Sequence, residues 1–277
     1  MEQSVIQYND LNKTDLSIAP WTMHEFFAGS GLVAYGLQNI FAPIWSNDIS
    51  IQKANVYDAN FFSEHFFLED IMNISGADLP DAHLSWASFP CQDLSLAGSI
   101  GGIDACRSGL VWEWLRILDE MPRTPRILVI ENVVGLLSAG SGDNYKKLHM
   151  ALIDRGYKCG AIILNASLFL PQSRPRVFII AVQYGYDLPK EIVGEGPCWL
   201  HNKRAAELGK QMPGWIWWHT EKPPKRTTSL KDIIEFNILY DKDNVLRLIP
   251  EKHRIALAKK SEMYATGYRR TRNGRQQ

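Results

Sequence analysis

Cys91 stands directly behind a proline in Ser88-Phe89-Pro90-Cys91-Gln92, just after the apolar run His83–Ala87. A cysteine on an exposed turn, stiffened by the preceding proline, suits a nucleophile. The competing reading, a small buried hydrophobe, is assigned to Cys106, Cys159 and Cys198. Glu131-Asn132-Val133 follows the apolar stretch Leu128-Val129-Ile130. Burial disfavours the charged form of a carboxylate there, so its pKa is expected to rise and it can share a proton with a substrate atom. The alternative is a carboxylate paired with arginine. Gln172-Ser173-Arg174-Pro175-Arg176 supplies such arginines, which can hold Glu131, bind substrate or favour a Cys91 thiolate. Phe27-Ala28-Gly29-Ser30-Gly31 offers a glycine turn that lets a ligand approach the backbone. Its spacing is not G-x-G-x-x-G, which argues against a nicotinamide or flavin dinucleotide. Asp48, about 20 residues on, is either an acceptor for ribose hydroxyls or a helix cap. Asp70 either faces an adenine amino group or caps a turn.

These residues need a frame that gathers them at one edge. Strands are expected at Met23–Phe27, Pro43–Asn47, Phe66–Leu68, His83–Ala87, Arg126–Ile130, Gly160–Asn165 and Val177–Val182. Helical sequence is expected at Leu32–Asn39, after Asp48 through Asn60, at Gly109–Met121 and at Tyr145–Arg155, with Gly156 as a C-terminal stop. Alternation of this kind predicts an α/β fold, a mostly parallel sheet with helices on both faces. Ligands bind outside the carboxyl ends of such strands. The glycine turn, both acids, Cys91, Glu131 and the arginines all fall at or beside such ends. Composition changes after Tyr184, where prolines recur and four of the nine tryptophans lie. The expected division is an N-terminal extension over 1–20, a catalytic domain over 21–184 and a smaller region over 185–277. Trp215, Trp217 and Trp218 are expected to form a small hydrophobic core.

The chain has 277 residues, 45% hydrophobic and 22% charged, which excludes a disordered, collagen-like or coiled-coil protein. No apolar run reaches the ~20 residues of a bilayer crossing, and the start shows no secretory pattern, so an intracellular protein is expected. Four cysteines without a C-x-x-C pair argue against a disulfide framework and a zinc site. The zero net charge divides unevenly. Residues 185–277 carry 18 Lys and Arg against 11 Asp and Glu, leaving the first 184 with a balance of −7. A basic back half fits a polyanionic partner.

Taken in order, the glycine turn, the two acids, Pro-Cys-Gln, Glu-Asn-Val and Gln-x-Arg-x-Arg resemble the C5-cytosine DNA methyltransferase family. The resemblance covers roughly Trp21 to Val182 and is loose between Gln38 and Glu69. It implies a Rossmann-like S-adenosylmethionine-dependent methyltransferase fold with seven strands. It also implies DNA (cytosine-5-)-methyltransferase activity, with S-adenosylhomocysteine as product and no metal. Cofactor contacts are then expected from Phe27, Ala28, Gly29, Ser30, Gly31, Leu32, Asp48, Ile49, Asp70, Ile71 and Pro90. Phe27 lies against the adenine, Asp48 takes the ribose hydroxyls and Asp70 the adenine amine. Cys91 attacks C6 of a flipped-out cytosine, Glu131 meets N3 and the exocyclic amine, Arg176 holds O2 and Arg174 supports the carboxylate. Asn132 orders the Pro-Cys turn. Gln92, Ser95 and Arg107 meet DNA, the last two from a glycine-rich loop (Gly98–Asp104) expected to close over the substrate. The region from 185 on becomes the target-recognition region, with Arg269, Arg270, Arg272 and Arg275 as candidate DNA contacts against the alternative of a frayed basic terminus.

The resemblance further implies double-stranded DNA as partner, a restriction-modification setting with a cognate endonuclease, a monomer, no membrane, and a cytoplasmic, nucleoid-associated location. Departures stand beside it. Glu25 occupies a position where the family usually has Asp, and Ile49 one where it often has Trp. Nothing between Pro250 and Gln277 matches the family's last two motifs, so a truncated chain or split gene and weak binding of the cofactor by this polypeptide alone are expected. Two other readings remain: a tRNA cytosine methyltransferase, although no Cys-Phe-Thr signature is present, and a non-catalytic DNA-binding relic.

Overall fold

The computed structural model describes residues 13–90, 109–233, 271–272 and 275–276. Strand β1 (Trp21–Phe26) leads through the glycine turn into helix α1 (Leu32–Leu37), then β2 (Phe41–Asp48), α2 (Ile51–Asn60), β3 (Phe66–Leu68) and β4 (Leu84–Ala87). Helix α3 (Leu110–Glu120), β5 (Ile127–Val133), α4 (Asp143–Asp154), β6 (Tyr157–Asn165) and β7 (Pro175–Gln183) complete the sheet. Its seven strands run in the order β3-β2-β1-β4-β5-β7-β6. The first five neighbours pair in parallel, whereas β7 is antiparallel to both β5 and β6. The sheet is therefore mostly parallel, as the alternating pattern predicts.

Each strand divides its side chains between the two faces with a period of two. Ser85, Ala87, Leu128 and Ile130 turn to the face covered by α3 and α4 and are buried there. Helix α3 buries Val111, Trp114, Leu115, Ile117 and Leu118, an apolar stripe at helical spacing. The Trp114 indole N–H donates to Ser85 Oγ at 3.0 Å, so the large ring is buried without an unpaired donor. Helix α4 buries Tyr145, Leu148, His149 and Leu152, and Gly156 takes φ +82 just beyond it, as the stop signal predicts.

The chain after Gln183 continues in the same compact unit through Thr227. Strand β8 (Val193–Gly194), α5 (Lys203–Gly209) and β9 (Trp217–Trp218) belong to it. Leu200, Ile216 and Trp218 form a cluster with Ile162 and Val182 of the sheet. Gly160 makes this approach possible: a β-carbon there would lie 1.9 Å from the Ile216 carbonyl oxygen. Trp215 stacks on His149 at 13° and tilts against Trp217, so the tryptophans are packing groups, as expected. Cys159 is buried with its sulfur 3.2 Å from His149 Nδ1. A second unit, 228–277, shows a turn at Leu230–Asp232 capped by Ser229 and a short hairpin pairing β10 (Thr271–Arg272) with β11 (Arg275–Gln276).

Candidate active site

The glycine turn is built by its neighbours. The Ala28 amide donates to the Asn47 main-chain oxygen at 2.8 Å, and the Gly29 amide donates to Asp48 Oδ2 at 3.0 Å. Asn47 Nδ2 in turn donates to the Glu69 carbonyl, tying β1, β2 and the chain after β3 together. Phe27 is held at φ +58, a conformation costly for a residue with a side chain, which makes it a local strain reservoir at this turn. Gly31, at φ +80, cannot carry one: a β-carbon would stand 2.6 Å from Phe61 and 2.9 Å from Tyr57.

Beside the turn opens a pocket of about 540 Å³. Phe27, Ala28, Gly29, Ser30, Leu32 and Val33 form one end; Trp86 and Ser88 of β4 and its exit line the middle. Glu131, Arg174, Arg176, Leu164, Phe169 and Phe178 form the other end. The glycine turn and the Glu131–arginine group thus share one continuous cavity, although Gly31 and Glu131 are 100 positions apart in the chain.

Glu131 lies within β5 rather than beyond its end, because pairing with β7 continues through Val133 opposite Arg176. Arg176 is thereby a diagonal neighbour of Glu131 on one face. Its Nε stands 2.7 Å from Glu131 Oε1, with both side chains about one fifth exposed. Of the two readings the sequence allowed for this acid, the structure shows the ion pair. It also revises the division of labour between the arginines: Arg176, not Arg174, supports the carboxylate among the described residues. The reason is register, since the residue opposite Val133 faces Glu131. Arg174 lines the pocket from the preceding loop, which Asn165 shapes by accepting from the amides of Ser167 and Arg174.

Asn132 is buried, on the opposite face from Glu131. Its Nδ2 donates to the Phe89 carbonyl at 3.0 Å and its Oδ1 accepts from the Val133 amide. It therefore pins the chain at Phe89, two residues before Cys91. Trp86 Nε1 donates to Ser88 Oγ at 2.9 Å on the same approach. Phe89 is buried and Pro90 exposed. Cys91, Gln92, Ser95 and Arg107, the loop Gly98–Asp104, Cys106, Arg269 and Arg270 lie outside the described residues.

The remaining expected cofactor residues behave differently. Asp48 is 3% exposed and does not line the pocket; Oδ1 accepts from the Ser50 amide at 2.9 Å, and Lys53 Nζ lies 3.1 Å from Oδ2. Ile49 is exposed, away from the pocket lining. Asp70 accepts from the Met72 amide and caps the turn Ile71–Asn73, the alternative allowed for it; neither Asp70 nor Ile71 lines the pocket. Several pocket residues went unread in the sequence, among them Lys53, Trp86, Ser88, Leu164, Phe169 and Phe178. Trp86 and Ser88 were accessible through the alternation of β4, which puts both on the face opposite Ser85 and Ala87.

Glu25 is 1% exposed beneath the turn. The amides of Val33 and Ala34 face its oxygens without closing to hydrogen-bond geometry, and burial pushes its pKa up to about 8. The adjoining His24 donates through Nε2 to the Pro80 carbonyl at 2.7 Å, and burial lowers its pKa to about 4. Among the described residues no group of three or more His, Cys, Asp or Glu is placed to hold a metal ion. No helix among them is long and apolar enough to cross a membrane.

Comparison with known proteins agrees with this arrangement. The chain is 33% identical over 161 residues to the type II methyltransferase M.Bsp6I of Bacillus sp. (strain RFL6), covering 56% of this chain and 50% of that protein. It is 38% identical over 132 residues to M2.ScrFI of Lactococcus lactis subsp. cremoris, covering 46% and 36%. The chain thus spans half or less of the length of these relatives. DNMT2 of Spodoptera frugiperda shares the fold, with TM-score 0.50, 19% identity and coverage of 61% of this chain and 52% of that one. The model of the C-5 cytosine-specific DNA methylase family matches residues 21–274, and by that match the chain belongs to this family.

Proposed function

We propose that the protein acts as a DNA (cytosine-5-)-methyltransferase. It would move a methyl group from S-adenosylmethionine to C5 of a cytosine flipped out of a specific double-stranded site, through a temporary bond from Cys91. The observation that carries this reading is the single cavity joining the glycine turn to the Glu131–Arg176 pair. Its volume falls in the range of small-molecule sites, roughly 300–1,000 Å³. A glycine-containing turn at one end and an arginine-held carboxylate at the other fit a nucleoside cofactor beside a heterocyclic base.

Phe27 to Leu32 would hold the cofactor, with Asp48 at its ribose. When bound, S-adenosylmethionine supplies an electrophilic methyl group. Cytosine C5 is too weak a nucleophile to take it unaided. Addition of the Cys91 thiolate to C6 pushes electron density onto C5 and divides one hard step into easier ones. Glu131 would meet N3 and the exocyclic amine, where charge develops, and Arg176 would fix its orientation while Arg174 reaches the base from the loop. Asn132 sets the height of the Pro-Cys turn through Phe89. Loss of the C5 proton and departure of the sulfur then restore the ring. None of these atoms is reachable within a stacked duplex, so the base must leave it. Gln92, Ser95 and Arg107 would meet the DNA. The type II relatives favour a restriction-modification setting, and with it a cytoplasmic monomer working alongside a cognate endonuclease.

Incubation with 5-fluorocytosine DNA and S-adenosylmethionine tests the proposal, because fluorine blocks the final elimination. A denaturation-resistant protein–DNA adduct is expected, and none with Cys91→Ser. No adduct from the unaltered chain, with DNA binding retained in Cys91→Ser, favours the binding relic instead.

A further inference from the structure

Among the described residues, the pocket lining includes one cation that the proposed chemistry does not use. Lys53, in the first turn of α2, places Nζ 3.1 Å from Asp48 Oδ2 and 3.5 Å from Oδ1. Its stem passes over the glycine turn, with Cδ 3.9 Å from where a β-carbon on Gly29 would stand. The Asp48 side chain is 4% exposed and that of Lys53 56%. Lys53 lines the pocket and Asp48 does not. The Lys53 side chain therefore stands between the carboxylate and the cavity. The amides of Gly29 and Ser50 hold the carboxylate independently of it.

We propose that Lys53 is a placeholder at this acid: its ammonium group occupies positions that a nucleoside's ribose hydroxyls take, and binding exchanges one for the others. This rests on the pocket being a nucleoside cofactor site. The exchange is feasible on each side. One carboxylate–ammonium contact opens, two hydroxyl hydrogen bonds close, and the lysine head turns into solvent, where an ammonium is strongly hydrated. The carboxylate does not have to move, since two backbone amides already fix it. Before the ligand arrives, the lysine keeps a poorly solvated charge partnered. A ligand without ribose hydroxyls gives Asp48 nothing in return, so it leaves Lys53 in place. Lys53 on this account tunes ribose binding: its displacement costs a ligand with ribose hydroxyls and leaves one lacking both untouched, so the lysine narrows the discrimination that Asp48 makes between them.

The test is calorimetric titration of the full chain with S-adenosylhomocysteine and with its 2′,3′-dideoxyribose analogue, for the unaltered protein, Lys53→Met and Lys53→Arg. Lys53→Met should bind S-adenosylhomocysteine about three- to fivefold more tightly, the scale of one exposed ion pair, and should gain nothing for the dideoxy analogue. Lys53→Arg should behave as the unaltered chain. Added salt should raise the affinity of the unaltered chain relative to that of Lys53→Met. Weaker binding by Lys53→Met means that the lysine touches the ligand directly and overturns the proposal; so does an unchanged affinity or an equal gain for both ligands. Binding of neither ligand by any form overturns the cofactor reading and this proposal together. Lys53→Gln, which keeps most of the stem, replaces Lys53→Met if that variant does not fold.

Discussion

Two carboxylates near opposite ends of one pocket each have a cation beside them, and the two pairs are built differently. Asp48 is fixed by backbone amides, and its lysine is an exposed addition. Glu131 is fixed by its arginine, half-buried with it and aligned by strand register. In the first pair the acid keeps its place without the cation; in the second the cation is the scaffold. Glu25 extends the series: it has no cation and no closed hydrogen bond among the described residues, and burial pushes its pKa up to about 8. How a carboxylate is held thus decides what removing its partner does.

The largest effect should come from the arginine-held pair. Glu131→Gln removes the charge proposed to meet the base, and by analogy with losing one preorganised transition-state contact should lower turnover about 10²–10³-fold. Arg176→Ala should approach the same loss by freeing Glu131, with Arg176→Lys intermediate; single-turnover methyl transfer to DNA measures all three. If Arg176→Ala retains more than a tenth of the rate, the scaffold role is wrong.

Glu25 tests the series from the side of stability. Its ordinary pKa of 4.5 rises to about 8 in the folded chain. Between those values the folded state keeps a proton that the unfolded state has released, so stability should fall as pH rises through this window. The penalty is absent below it and level above it. Glu25→Gln should therefore add a few kcal/mol at pH 8, on the scale of roughly 1.4 kcal/mol per pKa unit, and nothing at pH 4. His24 acts in the opposite direction. With its pKa lowered from 6.5 to about 4, it removes stability as pH falls through that interval. Denaturant unfolding across pH should thus show Glu25→Gln retaining only the acid-side slope.

Asn132→Ala should cost about 1–3 kcal/mol, because it strands the Phe89 carbonyl. It should also slow adduct formation with 5-fluorocytosine DNA by more than it weakens DNA binding. Equal losses in both would make the asparagine a packing group alone. The smallest effect is that of Lys53→Met on ligand affinity, and its sign is what matters.

Much of this frame is legible in residue patterns, and the unread parts share a cause. Apolar runs and glycine stops mark the strands and helices to within a few residues, Phe66–Leu68 with the same bounds. Glu131 falls inside β5 because β7 goes on pairing after the apolar run has stopped, and a single strand's composition does not carry its partner's length. The same register gives Arg176 the role first assigned to Arg174. Lys53 looks like a solvated helix residue until the strand-to-helix joint folds it over Gly29. The burial of Glu25 comes from α1 and α2 closing above β1, a long-range event that no local window contains. Asp70 illustrates the opposite case: the cap it makes is a local interaction, and the sequence already offered it.

The direction of β7 has a consequence for how the molecule can diversify. Because that strand runs against its neighbours, its first residues stand beside Glu131, while its last, Gln183, donates to the Arg126 carbonyl at the start of β5. The chain therefore leaves the sheet from the rim remote from Glu131. The following chain returns to the pocket side at Arg226, whose Nε donates to the Ser167 carbonyl at 3.2 Å, so the segment between can vary in length while its two anchors and the Glu131–Arg176 pair stay in place.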